Sequence, residues 1–235
     1  MKKFSFILAK VSHHTEHSKI IAFTLAEVLI TLGIIGVVAA LTMPSLITHH
    51  KKRAKVTAIK KVQSVMGQAV NMLALENGGT LAGLCDADES HDCFAEKLLP
   101  YLKKAKYCSA DSNENKYCYG WQNSDDSDGK WHRPHIILSD GIALEIYHSD
   151  KDCVGTSLPP YKTGTKHCAS FYADINGLKG PNIRGKDVFG FTILPNQVVP
   201  WGSPTIFEER FIPTAETCEK GNGQNLEYCT YYYLY

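Results

Sequence analysis

Surplus charge is what this chain lacks: 25 Lys and Arg stand against 24 Asp and Glu, a net of +1 over 235 residues. A dedicated nucleic-acid binder carries a concentrated basic field, and none is concentrated here, so no nucleic-acid partner is expected. Cysteine is absent from the first 84 residues, and no Cys-x-x-Cys pair marks a zinc or redox centre. HExxH, the GxSxG elbow and the phosphate-binding P-loop are missing too. His132 and His135 are three apart, but Pro134 between them prevents a helical metal pair. The histidines are therefore expected at the surface. Trp121, Trp131 and Trp201 are expected as core or loop anchors.

One stretch is almost free of charge. From Phe23 to Ile47 the single ionisable side chain is Glu27. As a helix, Phe23 to Met43 spans ~32 Å, enough for a hydrocarbon core of ~30 Å. Lys2, Lys3, Lys10 and Lys19 precede it; Lys51, Lys52, Arg53 and Lys55 follow it. Three readings compete. A secretory signal peptide would be cut after Val38-Ala39-Ala40, but its polar leader is long and the apolar run continues past the site. A plain uncleaved anchor is the second, and basic residues on both sides leave its orientation undecided.

The third reading rests on Ala22-Phe23-Thr24-Leu25-Ala26-Glu27. This stretch resembles the processing site of type IV prepilins and type II secretion pseudopilins. The resemblance covers residues 22–47, about a tenth of the chain. It implies a cut after Ala22 by a prepilin peptidase, where the family more often has Gly, and a methylated Phe23 as the new N-terminus. Glu27 then becomes the fifth mature residue, and Pro44 falls where such pilins have a helix-loosening proline. The implied protein is a filament subunit and not an enzyme. Its implied partners are other pilin subunits, the peptidase and an inner-membrane assembly platform. Its implied location is a single pass through the inner membrane with the head outside the cytoplasm, then a periplasmic or extracellular filament. The alternative is a membrane-anchored extracytoplasmic binding protein or enzyme whose head acts alone.

Charge gives Glu27 a role on the third reading. An unpaired charge in hydrocarbon costs roughly several kcal/mol. Cleavage creates an amine on Phe23. Glu27 of one subunit can pair with that amine on its neighbour, and any other stagger strands both charges.

The resemblance and the residues together divide the chain into a leader (1–22), an apolar helix (23–47), an amphipathic continuation (48–77) and an α+β head (78–235). In the continuation, Ile59, Val62, Met66, Ala69, Val70 and Leu73 recur three or four apart and should lie on the head. Asn77-Gly78-Gly79 should end the helix. Within the head, 94–106 reads as a short helix broken near Pro100, and 109–130 as a polar loop. His135–Leu138 and Ile142–Tyr147 read as a hairpin around Ser139-Asp140-Gly141. Ser170–Ile175 and Asp187–Leu194 read as strands, and Tyr228–Tyr235 as a last strand or packed tail. An antiparallel sheet against a long helix gives α+β.

The eight cysteines fall in neighbouring pairs: Cys85 with Cys93, Cys108 with Cys118, Cys153 with Cys168, Cys218 with Cys229. An even count after an apolar segment points to an oxidising compartment. Roughly a hundred connectivities exist, and sequence does not choose among them. Sequential bridges would each add on the order of 2–3 kcal/mol. No cofactor is expected, with calcium the one candidate. Asp174, Asn176 and Asp187 offer oxygens around a Gly-rich turn, without EF-hand spacing. A plain Asx turn, with Gly177 and Gly180 at positive φ, is the favoured reading there.

Overall fold

The computed structural model describes residues 24–85, 91–110, 133–148, 151–156, 160–177, 179–221 and 226–235. Two compact units divide at His49/His50. The first contributes the front of helix α1 (Leu25–Glu76), a 52-residue element. Its residues from Leu25 to Ile47 expose apolar side chains; Leu25 is 79% exposed and Ile35 63%. The length and composition suffice to cross a membrane.

In the second unit the rest of α1 buries Ile59, Val62, Met66, Ala69, Val70, Leu73 and Ala74. That is the expected stripe with one residue added, because the i, i+3, i+4 spacing keeps these side chains on one face. The helix stops as expected. Gly78 and Gly79 adopt φ of 76° and 93°, and the Gly79 N–H donates to the Ala74 carbonyl at 2.7 Å.

Among the described residues the head has eight strands. They are β1 (Lys104–Cys108), β2 (His135–Leu138), β3 (Ala143–His148), β4 (Gly155–Thr156), β5 (Thr165–Lys166), β6 (Ala169–Asp174), β7 (Val188–Leu194) and β8 (Gln197–Pro200). The α1 stripe packs on a six-stranded sheet in the order β1-β2-β3-β6-β7-β8. Every neighbouring pair is antiparallel. Strands β4 and β5 form a separate ribbon. The β2–β3 hairpin lies where the sequence puts it.

Alternation along the central strands makes two cores. Ala169, Phe171, Ala173, Phe189, Phe191 and Ile193 face the cluster that includes the α1 stripe and helix α2 (His91–Leu98). Phe171 opposes Phe191 across the ladder, rings stacked 4.8 Å apart. On the other face Tyr172 and Val188 meet Trp201, and Tyr161, Phe207 and Tyr228 form a neighbouring aromatic cluster. Trp201 is thus the anchor expected of it; Trp121 and Trp131 lie outside the described residues.

Three differences from the sequence reading have physical causes. The segment 94–106 is not one helix: α2 ends at Leu98, Leu99–Tyr101 form a 3-10 turn, and Lys104 onward pairs as an edge strand. Edge pairing outweighs the helix preference of Lys-Lys-Ala-Lys, and exposed Lys104 and Lys106 discourage further strand addition. Strand β8 is not anticipated by the sequence reading, although Pro195-Asn196 turns β7 directly onto it. Helix α3 (Ala215–Lys220) is a further addition; Thr214 caps it and Gly221 closes it at φ 61°. Of the two alternatives for the tyrosine-rich C-terminus the structure has the packed tail and not the strand: Leu226–Cys229 form a 3-10 turn leading into helix α4 (Thr230–Leu234), with Tyr228, Tyr233 and Leu234 buried.

Bridges join Cys85–Cys93, Cys153–Cys168 and Cys218–Cys229. Cys108 is disulfide-bonded as well, while Cys118 lies outside the described residues.

Gly190 of β7 leaves room for the Trp201 indole. A Cβ there would sit 2.4 Å from Trp201 Cδ2. Gly190→Ala should therefore lower unfolding stability by about 1–3 kcal/mol, measured by urea denaturation. Unchanged stability would show that the indole is not held against the strand.

Candidate functional site

Two regions carry the residues singled out by sequence: the start of α1 and the β6–β7 connection. Ala22 and Phe23, the expected processing residues, lie outside the described residues. Thr24 and Glu27 make a reciprocal cap. The Glu27 Oε2 accepts from the Thr24 backbone N–H and hydroxyl, both at 2.9 Å. The Glu27 N–H donates back to Thr24 Oγ1 at 3.2 Å. This is a capping box, and it satisfies N–H groups that a helix start otherwise leaves open. Sequence reasoning gives Glu27 only an intermolecular partner and misses Thr-x-x-Glu as a local signal.

Pro44 sits inside α1. It can offer no N–H to the Ala40 carbonyl, so the ladder lacks one bond there. The Thr42 and Thr48 hydroxyls donate to the carbonyls of Val38 and Pro44, each at 2.9 Å.

The β6–β7 connection does bring Asp174, Asn176 and Asp187 together. Asp187 Oδ2 accepts from the Asn182 N–H at 2.9 Å and from Asn176 Nδ2 at 3.2 Å. Its Oδ1 accepts from the Ile183 N–H. Asp174 Oδ1 accepts from the Asn176 N–H at 3.2 Å, closing an Asx turn. Gly177 has φ 61°, and a Cβ there would lie 2.0 Å from the Gly141 carbonyl oxygen, so only glycine fits. Gly180 does not adopt positive φ; Asn182 does, at 52°. Its αL conformation turns its N–H and that of Ile183 toward Asp187.

Two oxygens of this loop, Asp174 Oδ2 and Asn176 Oδ1, are buried without a hydrogen-bond partner among the described residues. Burial, reinforced by the Asp187 carboxylate, pushes Asp174 up to about 7. A calcium ion takes roughly six to eight oxygens. These two atoms are a start on such a shell, whereas Asp187 already accepts from three N–H groups as the organiser of the turn.

Behind the hairpin, His135 departs from the expected surface position: it is only 4% exposed. It starts β2 on the face opposite Ile136 and Leu138, directly across the ladder from buried Glu145, and its Nδ1 lies 3.1 Å from the Arg133 carbonyl oxygen. Burial lowers its pKa to about 4. His132 lies outside the described residues. Glu145, 2% exposed, accepts from Arg133 at 3.1 Å, and the same guanidinium stands over Tyr147 at 4.2 Å.

One contact resembles the beginning of a nucleophilic pair: His167 Nε2 lies 2.9 Å from Ser170 Oγ. The serine is 6% exposed, and its hydroxyl is also 3.3 Å from Tyr161 OH. Tyr161 OH is in turn 3.1 Å from Thr192 Oγ1. These polar groups satisfy one another across β6 and β7, an arrangement that holds strands together rather than presenting a reactive oxygen.

Comparison with protein-family models, with curated proteins and with solved structures finds no match. The residues themselves carry the functional argument.

Asp174 and His135 predict opposed pH dependences. Folded Asp174 keeps a proton up to about pH 7, while its ordinary value is 3.8, so its contribution to stability declines as pH rises between them. An unfolded histidine binds a proton below 6.5 but the buried ring only near 4, so stability declines as pH falls through that window. The slopes oppose. In chelator-treated protein, Asp174→Asn should lose stability on acidification relative to the parent, and His135→Gln should gain. Thermal melts from pH 4 to 7 check both, and parallel curves for parent and variants would refute the assignments. Calcium added at pH 7 tests the same carboxylate: a melting shift that Asp174→Asn abolishes places the ion there, and no shift leaves a plain turn.

Proposed function

We propose that the chain is a structural subunit of a type IV pilus-like or type II secretion pseudopilus filament. The observation that carries this reading is the front of α1: residues Leu25 to Ile47 expose apolar side chains, and their one carboxylate, Glu27, stands four residues after Phe23. Prepilin peptidase cuts after Ala22 and frees the Phe23 amine. The apolar helix holds the precursor in the inner membrane and later bundles with other subunits, assembled on an inner-membrane platform. The head lies outside the cytoplasm, where its disulfides persist.

The capping box gives Glu27 an intramolecular partner in the precursor. Cleavage supplies a second, intermolecular one, because a buried carboxylate and a buried amine each need the other. A second reading, a membrane-anchored binding protein or enzyme whose head acts alone, draws on the Ser170–His167 contact. The burial of Ser170 weighs against it.

Two measurements test the proposal. The N-terminal peptide of protein from native cells should begin at Phe23 and be heavier by one methyl group. A chain beginning at Met1, or after Ala40, overturns it. Glu27→Gln then separates the two roles of the side chain: the carboxamide still accepts the Thr24 hydrogen bonds but carries no charge. Processing at Phe23 should continue while filaments, scored by shearing and electron microscopy, are lost. Normal filaments would refute the charge pair.

A further inference from the structure

Asparagine precedes glycine at Asn77-Gly78, Asn176-Gly177 and Asn222-Gly223. In such a pair the glycine nitrogen can attack the side-chain carbonyl carbon of the asparagine, because no Cβ stands in the way and the glycine backbone turns freely. Asn222 and Gly223 lie outside the described residues. The fold treats the other two pairs differently.

At the end of α1 the attacking nitrogen is open. Gly78 is exposed, and a Cβ built on it would meet nothing within 4 Å. Its N–H donates to no acceptor among the described residues. The Asn77 amide, by contrast, is seated. Its Nδ2 donates to the Thr80 carbonyl oxygen at 2.7 Å and to the Ala82 carbonyl oxygen at 3.1 Å. Those oxygens stand where positive charge develops on a nitrogen that departs as ammonia, so they favour its departure. In the β6–β7 connection the same attack is obstructed. The Gly177 N–H already donates to the Asp174 carbonyl at 3.3 Å. Gly177 is also packed so tightly on the Gly141 carbonyl that its backbone has no room to turn.

We infer that Asn77 is a site of spontaneous deamidation, and that the change loosens the turn that ends α1 as the protein ages. Hydroxide takes the Gly78 amide proton, and the nitrogen bonds to Asn77 Cγ. The Cγ–Nδ2 bond then breaks, and Nδ2 leaves as ammonia with a proton from water. Water opens the resulting succinimide at either carbonyl, giving aspartate or isoaspartate. One water is consumed, one ammonia is released, and nothing is oxidised or reduced. The product works against the helix stop. A donor amide becomes a carboxylate that faces two carbonyl oxygens. Its negative charge sits beside Glu76 at the C-terminal end of the helix, where the macrodipole is already negative. Isoaspartate also adds a backbone carbon just before Gly78 and Gly79, whose positive φ values bring the Gly79 N–H onto the Ala74 carbonyl.

The test ages the full chain in detergent at mildly alkaline pH, one sample folded and one in urea. Peptide mapping by mass spectrometry follows aspartate and isoaspartate at positions 77 and 176. In the folded sample Asn77 should convert about tenfold faster than Asn176, the factor that one hydrogen bond on the attacking N–H is worth. In urea the two rates should converge. Asn176 converting as fast as Asn77 in the folded sample overturns the assignment. So does an Asn77 that stays intact there, or a ratio that urea leaves unchanged. Asn77→Asp then reads the consequence. Hydrogen exchange at the Gly79 amide should rise about tenfold as its bond to Ala74 opens more often. Exchange equal to the parent overturns the loosening. The aged folded sample, read at the same amide, decides the point if that variant does not fold.

Discussion

Burial on both faces of β6 and β7 is the constraint from which the rest of the head follows. All six residues of β6 and all seven of β7 are buried. Such strands need two covers, and this chain supplies two different kinds. One is regular: the stripe from Ile59 to Ala74 repeats at helical spacing and lays aliphatic side chains on Phe171, Phe189 and Phe191. The other is irregular: Trp201, Phe207 and Tyr228 come from turns and cover the opposite face with rings. Large aromatic side chains suit that task because each shields much area from few backbone positions.

The two covers explain what can be read in advance. The α1 stripe, the glycine stop and the β2–β3 hairpin depend on neighbours in sequence, so periodicity and turn chemistry reveal them. Lys104–Cys108 and Tyr228–Tyr235 depend on partners far along the chain. Lys104 pairs with Leu138, and Tyr231 N–H donates to the Trp201 carbonyl, so local preference misleads at the first and leaves strand or packed tail undecided at the second. His135 escapes a sequence reading because it is buried on the sheet face opposite Ile136 and Leu138, beside Arg133 and across from Glu145, which only the strand pairing brings together. At the candidate sites, the grouping of Asp174, Asn176 and Asp187 is legible. What is not legible is that Asp187 serves three N–H groups while Asp174 keeps an open oxygen.

Glu27 shows how one side chain can serve successive states. In the capping box it meets donors supplied by its own helix, three residues away. Those donors ease its desolvation without neutralising it. The proposed amine partner adds the missing charge, so a motif that starts a helix also leaves a carboxylate ready for a cation. Nothing in the pattern Thr-x-x-Glu alone distinguishes the two uses; the apolar residues that follow make the second one consequential.

The disulfides described above span only 8, 15 and 11 residues. None of them reaches α1, which ends at Glu76, before the first cysteine at Cys85. Mechanically, the head is therefore a set of locally cross-linked loops hung on a helix by non-covalent shear alone. A pull on the apolar end of α1 is resisted first by the interlocked side chains from Ile59 to Ala74, all sharing the load at once. Only after that stripe has slipped does force pass through Asn77, Gly78 and Gly79 into the cross-linked region. The same geometry makes the joint strong along the helix axis and weaker to peeling, one residue at a time, from its C-terminal end.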